Sequence, residues 1–169
     1  MKNRLMIVLT MFLYLAQFSL PILGQTERLE NPSQDKLIKS EVETALSMLQ
    51  AIFVKFQSKE MTLEQAKKLG ADLLRELRYG TEGYFWADTK EGVNVVLFGR
   101  KDVEGKNRLE AKDEHGTFYV KELLAAGKDG GGYVEYWFTK KGKTIAEAKR
   151  SYVLLFEPFG WVVGTGYYR

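Results

Sequence analysis

The residue types that carry chemistry are scarce in this sequence, and their spacing disfavours catalysis. Its one histidine, His115, sits in KDEHGT among turn residues. A general base needs an oriented partner and a nucleophile within reach, and neither is arranged around it. There is no cysteine, so a zinc site would lack its favoured ligands. The stretch KDVEGKNRLEAKDE (101–114) is acidic without the one-three-five spacing of a calcium loop. GKDGGG is neither GxGxxG nor followed by GK[ST], which leaves a phosphate cradle unsupported. What remains is aromatic. In GGGYVEYWF (130–138), strand alternation puts Tyr133, Glu135 and Trp137 on one face and Val134, Tyr136 and Phe138 on the other. The second set reads as the buried face, where Tyr136 is placed to hold either a ligand or a backbone carbonyl. No catalytic residue, metal or cofactor is expected, and the chain reads as a binder rather than an enzyme.

The elements that would position such a site follow from periodicity. Leu37, Val42, Ala45, Leu46, Leu49, Ile52, Phe53 and Phe56 recur at spacings of three and four, an amphipathic helix with Asn31 or Ser33 at its start. Thr62 with Gln65 has the spacing of a capping box for a second helix, which carries Ala66, Leu69, Leu73, Leu74 and Leu77 and is expected to end at Gly80. From Gly83 the period becomes two. GYFWAD and VNVVLF read as a hairpin across TKEG, 117–126 as a short helix, and the rest as a meander of three strands. Turns this short demand antiparallel pairing. The fold class is therefore α+β, with long N-terminal helices packed on one face of a central antiparallel sheet of about five strands.

At 169 residues the chain has the length of about one domain, and 45% hydrophobic residues are enough to build a core. Residues 1–24 stand apart: Lys2 and Arg4 precede an uncharged apolar run from Leu5, ending in Pro21 and Gly24 before polar sequence. This is the layout of a signal peptide, or of an uncleaved N-terminal anchor. Residues 25–35 read as a polar lead and 36–169 as the domain. The expected location is exported, periplasmic or extracellular. The formal net charge is +3, and two of those charges lie in the first 24 residues. The domain is thus nearly neutral, with no basic excess for nucleic acid.

LRYGTEGYFWAD (77–88), GRKDVEGKN, GGGYVEYWF and KRSYVLLFEPFGWVVGTGYY (149–168) occur in order. Together they closely resemble the single Cache domain (type 2), the extracytoplasmic sensor module of bacterial chemoreceptors and histidine kinases. The likeness runs from about Lys36 to Tyr168. It implies a PAS-like fold with a ligand pocket on the sheet face away from the long helices. It also implies recognition of a small organic molecule, often a short carboxylate. Family members normally signal through a second transmembrane helix to a cytoplasmic output domain. For this sequence, which shows no second apolar run, the expected partner is a separate membrane receptor or kinase. Where many relatives carry Met-His-Pro this sequence has LFGR (97–100), so Arg100 stands in place of an imidazole.

A buried carboxylate needs donors and a fixed positive charge. Lys149 aligns with the lysine of the family's Pro-Lys-x-Ser-Tyr segment, with Ala148 in place of the proline, and Tyr152 aligns with its tyrosine. Arg78, Tyr79, Tyr84, Trp86, Arg100 and Tyr136 complete the candidate ligand-binding set. Each has a plainer role: Lys149 at a solvated strand edge, Arg78 capping carbonyls at its helix end, Tyr84 and Trp86 as core. An alternative function is an interaction module whose pocket is filled by its own aromatics, used for homodimerisation or docking.

Overall fold

The structure, a computed structural model, describes residues 31–169. The segment 1–24 expected to direct export lies outside the described residues. Helix α1, Pro32–Gln57, begins inside the stretch read as a polar lead. Asn31 caps it by accepting from the Gln34 amide, and Pro32 sits in the first turn, where no intrahelical partner is lost. Its buried face is Ile38, Val42, Ala45, Leu49 and Ile52. Helix α2, Leu63–Glu76, opens on the expected capping box. Thr62 Oγ1 accepts from the Gln65 amide at 3.2 Å, and Gln65 Oε1 accepts from the Thr62 amide at 2.8 Å. Such a cap is worth about 1 kcal/mol. The helix stops at Glu76 and not at Gly80, because Arg78–Tyr79 (β1) leaves to pair with Gly83–Tyr84 (β2).

The main sheet holds β3 (Trp86–Thr89), β4 (Asn94–Leu97), β5 (Gly132–Thr139), β6 (Ala146–Phe156) and β7 (Trp161–Tyr168). All are antiparallel, in the order β4-β3-β7-β6-β5. The strand expected over GYFWAD is split at Phe85, its first two residues pairing with β1 in a separate two-stranded sheet. The meander is as the sequence implies, and the hairpin forms between β3 and β4. What joins them is β7 returning to pair with β3, with Trp86 opposite Gly164. Helices α1 and α2 cover one face, where Leu49, Leu74, Phe85, Phe159 and Trp161 form a dry core. Helix α3, Tyr119–Lys128, covers the other face with Tyr84, Trp86, Leu123, Tyr136 and Val162.

Alternation sorts β6 cleanly between the two faces. Arg150 and Tyr152 meet α1, while Lys149, Ser151 and Val153 turn toward α3. Two glycines make room for this. Gly131 has φ 97°, and a Cβ there would lie 2.6 Å from the Tyr152 hydroxyl. Gly164, in mid-strand, lets the Trp86 indole approach β7 closely: an added Cβ would meet Trp86 Cζ2 at 2.6 Å and Val153 Cγ1 at 2.7 Å. Both neighbours are buried and have nowhere to move. Gly164→Ala should therefore lower the unfolding free energy by about 1–3 kcal/mol, as overpacking does. Urea denaturation measures this, and an unchanged midpoint would mean that Trp86 does not rest on the glycine.

Candidate functional site

Between the sheet and α3 lies a small cavity of about 10 Å³, lined by Trp86, Leu97, Arg108, Tyr119, Leu123, Tyr136, Phe138 and Lys149. It is about large enough for one water molecule. Its walls are mainly apolar, yet two cations reach it.

Lys149 comes from the middle of β6, paired to Tyr136 on one side and Tyr168 on the other, and is only 1% exposed. Its ammonium donates to the Tyr84 hydroxyl at 2.7 Å. It also lies 4.4 to 5.2 Å from the ring centroids of Tyr84, Trp86, Tyr168 and Phe138. Among the described residues no carboxylate pairs with it. Aromatic faces attract a cation, each by about 0.5–2 kcal/mol, but do not neutralise it. Burial accordingly pulls the Lys149 ammonium below the usual lysine range. The charge of Arg108 works in the same direction, and contact with Tyr84 works against it. Burial alone would raise the Tyr84 phenol; the charge and hydrogen bond of Lys149 outweigh it and pull the phenol down. Tyr84 also shares a 3.1 Å hydroxyl contact with Tyr168, whose own phenol is pushed up by burial and by Tyr84.

Arg108 comes from the connector after β4. That segment is held like a strand: Val93 bridges Asn107, and the Arg108 amide donates to the Gly92 carbonyl at 2.8 Å. The guanidinium donates to the Tyr119 hydroxyl at 3.1 Å and reaches Asp88 Oδ1 only at 3.5 Å. Asp88 is buried and takes a shorter 2.9 Å bond from Asn94 Nδ2. Burial raises the Asp88 carboxyl, opposed by Arg108 and Asn94. Two positive charges and one negative leave the site one cation in excess. Tyr119 stacks on Tyr136 at 5.0 Å, and the Tyr136 hydroxyl meets Ser151 Oγ at 3.1 Å. Burial raises the Tyr136 phenol strongly, so it stays protonated.

Of the eight residues singled out in the sequence, Lys149, Tyr84, Trp86 and Tyr136 come together here, and four go elsewhere. Arg78 is exposed and donates to the carbonyls of Arg75 and Leu77, the plainer capping role, with its guanidinium 3.6 Å above Phe98. Arg100 is exposed and paired with Asp102 on a short 3₁₀ turn. Tyr79 faces the helices, its hydroxyl 2.7 Å from Thr165 Oγ1. Tyr152, one residue past Ser151, faces α1 beside Ile38 and Val42. The guanidinium in the cavity is Arg108, from a stretch of sequence with no periodicity. Tyr119 was also missed, though α3 itself was legible and a tyrosine four residues before Leu123 marks its inward face. No group of three or more metal-ligating side chains occurs among the described residues, and His115 is exposed on its loop against Trp137. No described helix is long and apolar enough to cross a membrane.

Residues 31–169 match the profile of the single Cache domain 2. Over 124 residues the chain is 36% identical to the sensor histidine kinase MctS of Rhizobium johnstonii, covering 73% of this chain and 26% of that protein. Over 109 residues it is 28% identical to the methyl-accepting chemotaxis protein McpP of Pseudomonas putida, covering 64% of this chain and 20% of that protein. The chain therefore spans about a quarter or less of the length of these curated relatives. Among solved structures, a Cache chemosensory domain described for its carboxylic acid recognition superposes with a TM-score of 0.78 at 30% identity, over 80% of this chain and 93% of that one. A periplasmic sensor domain of a chemotaxis protein superposes with a TM-score of 0.76 at 28% identity, over 80% and 94%.

The depressed Lys149 pKa has a consequence for stability. Below its folded value the penalty for burying the charged ammonium is fully present. It is relieved as pH rises from that value toward about 10.4, where the unfolded lysine also loses its proton. Lys149→Met removes the penalty at all pH values. The variant should be the more stable at pH 7, and its advantage should shrink as the pH approaches 10. Denaturation midpoints of both proteins across that range test this; a constant difference would mean that Lys149 is not titrating in the fold.

Proposed function

This chain belongs to the single Cache domain 2 family, and we propose that it binds a short organic monocarboxylate between the sheet and α3 and signals through a membrane receptor or kinase partner. Cache domains are extracytoplasmic sensor modules of chemoreceptors and histidine kinases, which bind ligands and relay signals without chemistry. The observation that carries the ligand reading is Lys149, a buried ammonium with no carboxylate partner among the described residues. An anion placed against it would recover the attraction that its desolvation removed. The net excess of one positive charge suits one carboxylate, bound by Lys149 with Arg108, Tyr84 and Tyr136. Trp86, Leu97 and Leu123 suit a short apolar tail. The carboxylic acid recognised by the Cache chemosensory domain of similar fold points the same way. Binding then biases a partner only through the difference in ligand affinity between two forms of the domain.

The small volume of the cavity favours a second reading, in which the domain's own aromatics fill the pocket and it serves as a docking or dimerisation module. A thermal-shift screen with acetate, propionate, pyruvate and the uncharged amides separates the two. At a hundredfold excess over Kd a ligand adds about 2.7 kcal/mol of stability. The expected outcome is a rise with one or more carboxylates, none with the amides, and loss of the rise in Lys149→Met. No carboxylate shift together with a stable dimer in size-exclusion chromatography would select the second reading.

A further inference from the structure

The tyrosines that hold Lys149 face a second, open pocket. Tyr84 and Tyr168 line a surface pocket of about 280 Å³, whose other walls include Phe98 and the three lysines of the β5–β6 turn, Lys140, Lys141 and Lys143. Their hydroxyls meet at 3.1 Å, and Tyr84 is the acceptor for Lys149. The tyrosine pair thus stands between the open pocket and the buried ammonium. The cavity beyond it, about 10 Å³, cannot admit a carboxylate with any chain unless a wall moves.

The mouth is electropositive. Lys140 Nζ lies 4.8 Å above the Tyr168 ring, and Lys141 Nζ lies 4.2 Å above Phe98, which carries Arg78 as well. The nearby acids Glu82 and Glu147 are both directed at Lys140, at 3.9 and 3.1 Å. Lys141, Lys143 and Arg78 have no carboxylate partner among the described residues. Glu82 itself lines the pocket, yet the three lysines and Arg78 outnumber the two acids. A net positive excess over a low-dielectric wall raises the local concentration of an anionic ligand and its rate of arrival.

We infer that the anionic ligand enters here: the lysines of the β5–β6 turn collect it in an outer encounter site, and parting of the Tyr84–Tyr168 hydroxyl pair admits it to Lys149. This rests on the carboxylate reading above. Stopped-flow tryptophan fluorescence with propionate as the probe tests it, in the wild type, in the triple variant K140Q/K141Q/K143Q and in Tyr168→Phe, each checked for a cooperative melt. The triple variant should slow association by about threefold or more and leave dissociation unchanged. It should also lose the fall in association rate that the wild type shows between low salt and about 0.5 M. Tyr168→Phe keeps the ring but breaks the hydroxyl pair, and should speed association and dissociation together. Normal propionate binding with unchanged rates in all three proteins overturns the entry route alone. If the equilibrium screen finds no carboxylate bound by the wild type, the ligand reading falls and the route with it.

Discussion

The Lys149 ammonium is held by one phenol and a ring of aromatic faces, and β6 is flanked on both sides so that it cannot swing out to water. A lone charge in such a place is costly unless something compensates for it. Much of the α3 side of the sheet can be understood as that compensation. Tyr84 gives a lone pair, Tyr168 steadies Tyr84, and Trp86 packs close to β7 because Gly164 lets it. Arg108 adds a second positive charge to the same cavity, only loosely matched by Asp88 at 3.5 Å. A fold selected for stability alone would have filled this space with apolar side chains, as it did on the other face.

The two faces of the sheet therefore have different tasks. Under α1 and α2 the contacts are dry and aromatic: Phe159 meets Phe53, Phe156 and Trp161 edge-on. That side supplies rigidity. It also anchors the start of α1, because Arg150 binds Asp35 through Nε and Nη2 and Tyr167 donates to the same carboxylate. Under α3 the apolar packing is interrupted by buried polar groups that are incompletely satisfied; Asn94 Oδ1 is buried with no donor among the described residues. Rigid support behind and unfinished polarity in front is an arrangement suited to a site that gains by being occupied.

The fold was legible in the sequence because periodicity and capping report directly on local structure. The Thr62–Gln65 box and the change of period at Gly83 locate α2 and the first hairpin, and strand alternation places Tyr136 on the inner face. Of the candidate site, the cavity at Lys149, only half was legible, for a physical reason. Arg78 and Arg100 have the right chemistry, but they sit at a helix end and a turn, where carbonyls and Asp102 satisfy them locally. Tyr79 and Tyr152 are candidates that pack on the opposite face of the sheet from the cavity. Arg108 lies in an irregular connector that reaches the cavity only by pairing with the β3–β4 turn, a contact that no local pattern encodes. The pairing of β7 with β3 is hidden in the same way.

Lys149 and Arg150 are neighbours in the chain and opposites in space: one reaches the cavity, the other grips Asp35 on α1. Because side chains alternate along a strand, a single-residue insertion or deletion in β6 would exchange the two. The guanidinium would enter the cavity, the ammonium would face the helix, and both sites would fail at once. Substitutions in this strand can be weighed position by position, whereas a change in its length cannot. Descendants of this domain are therefore free to alter what β6 carries, but hardly free to alter how many residues it has.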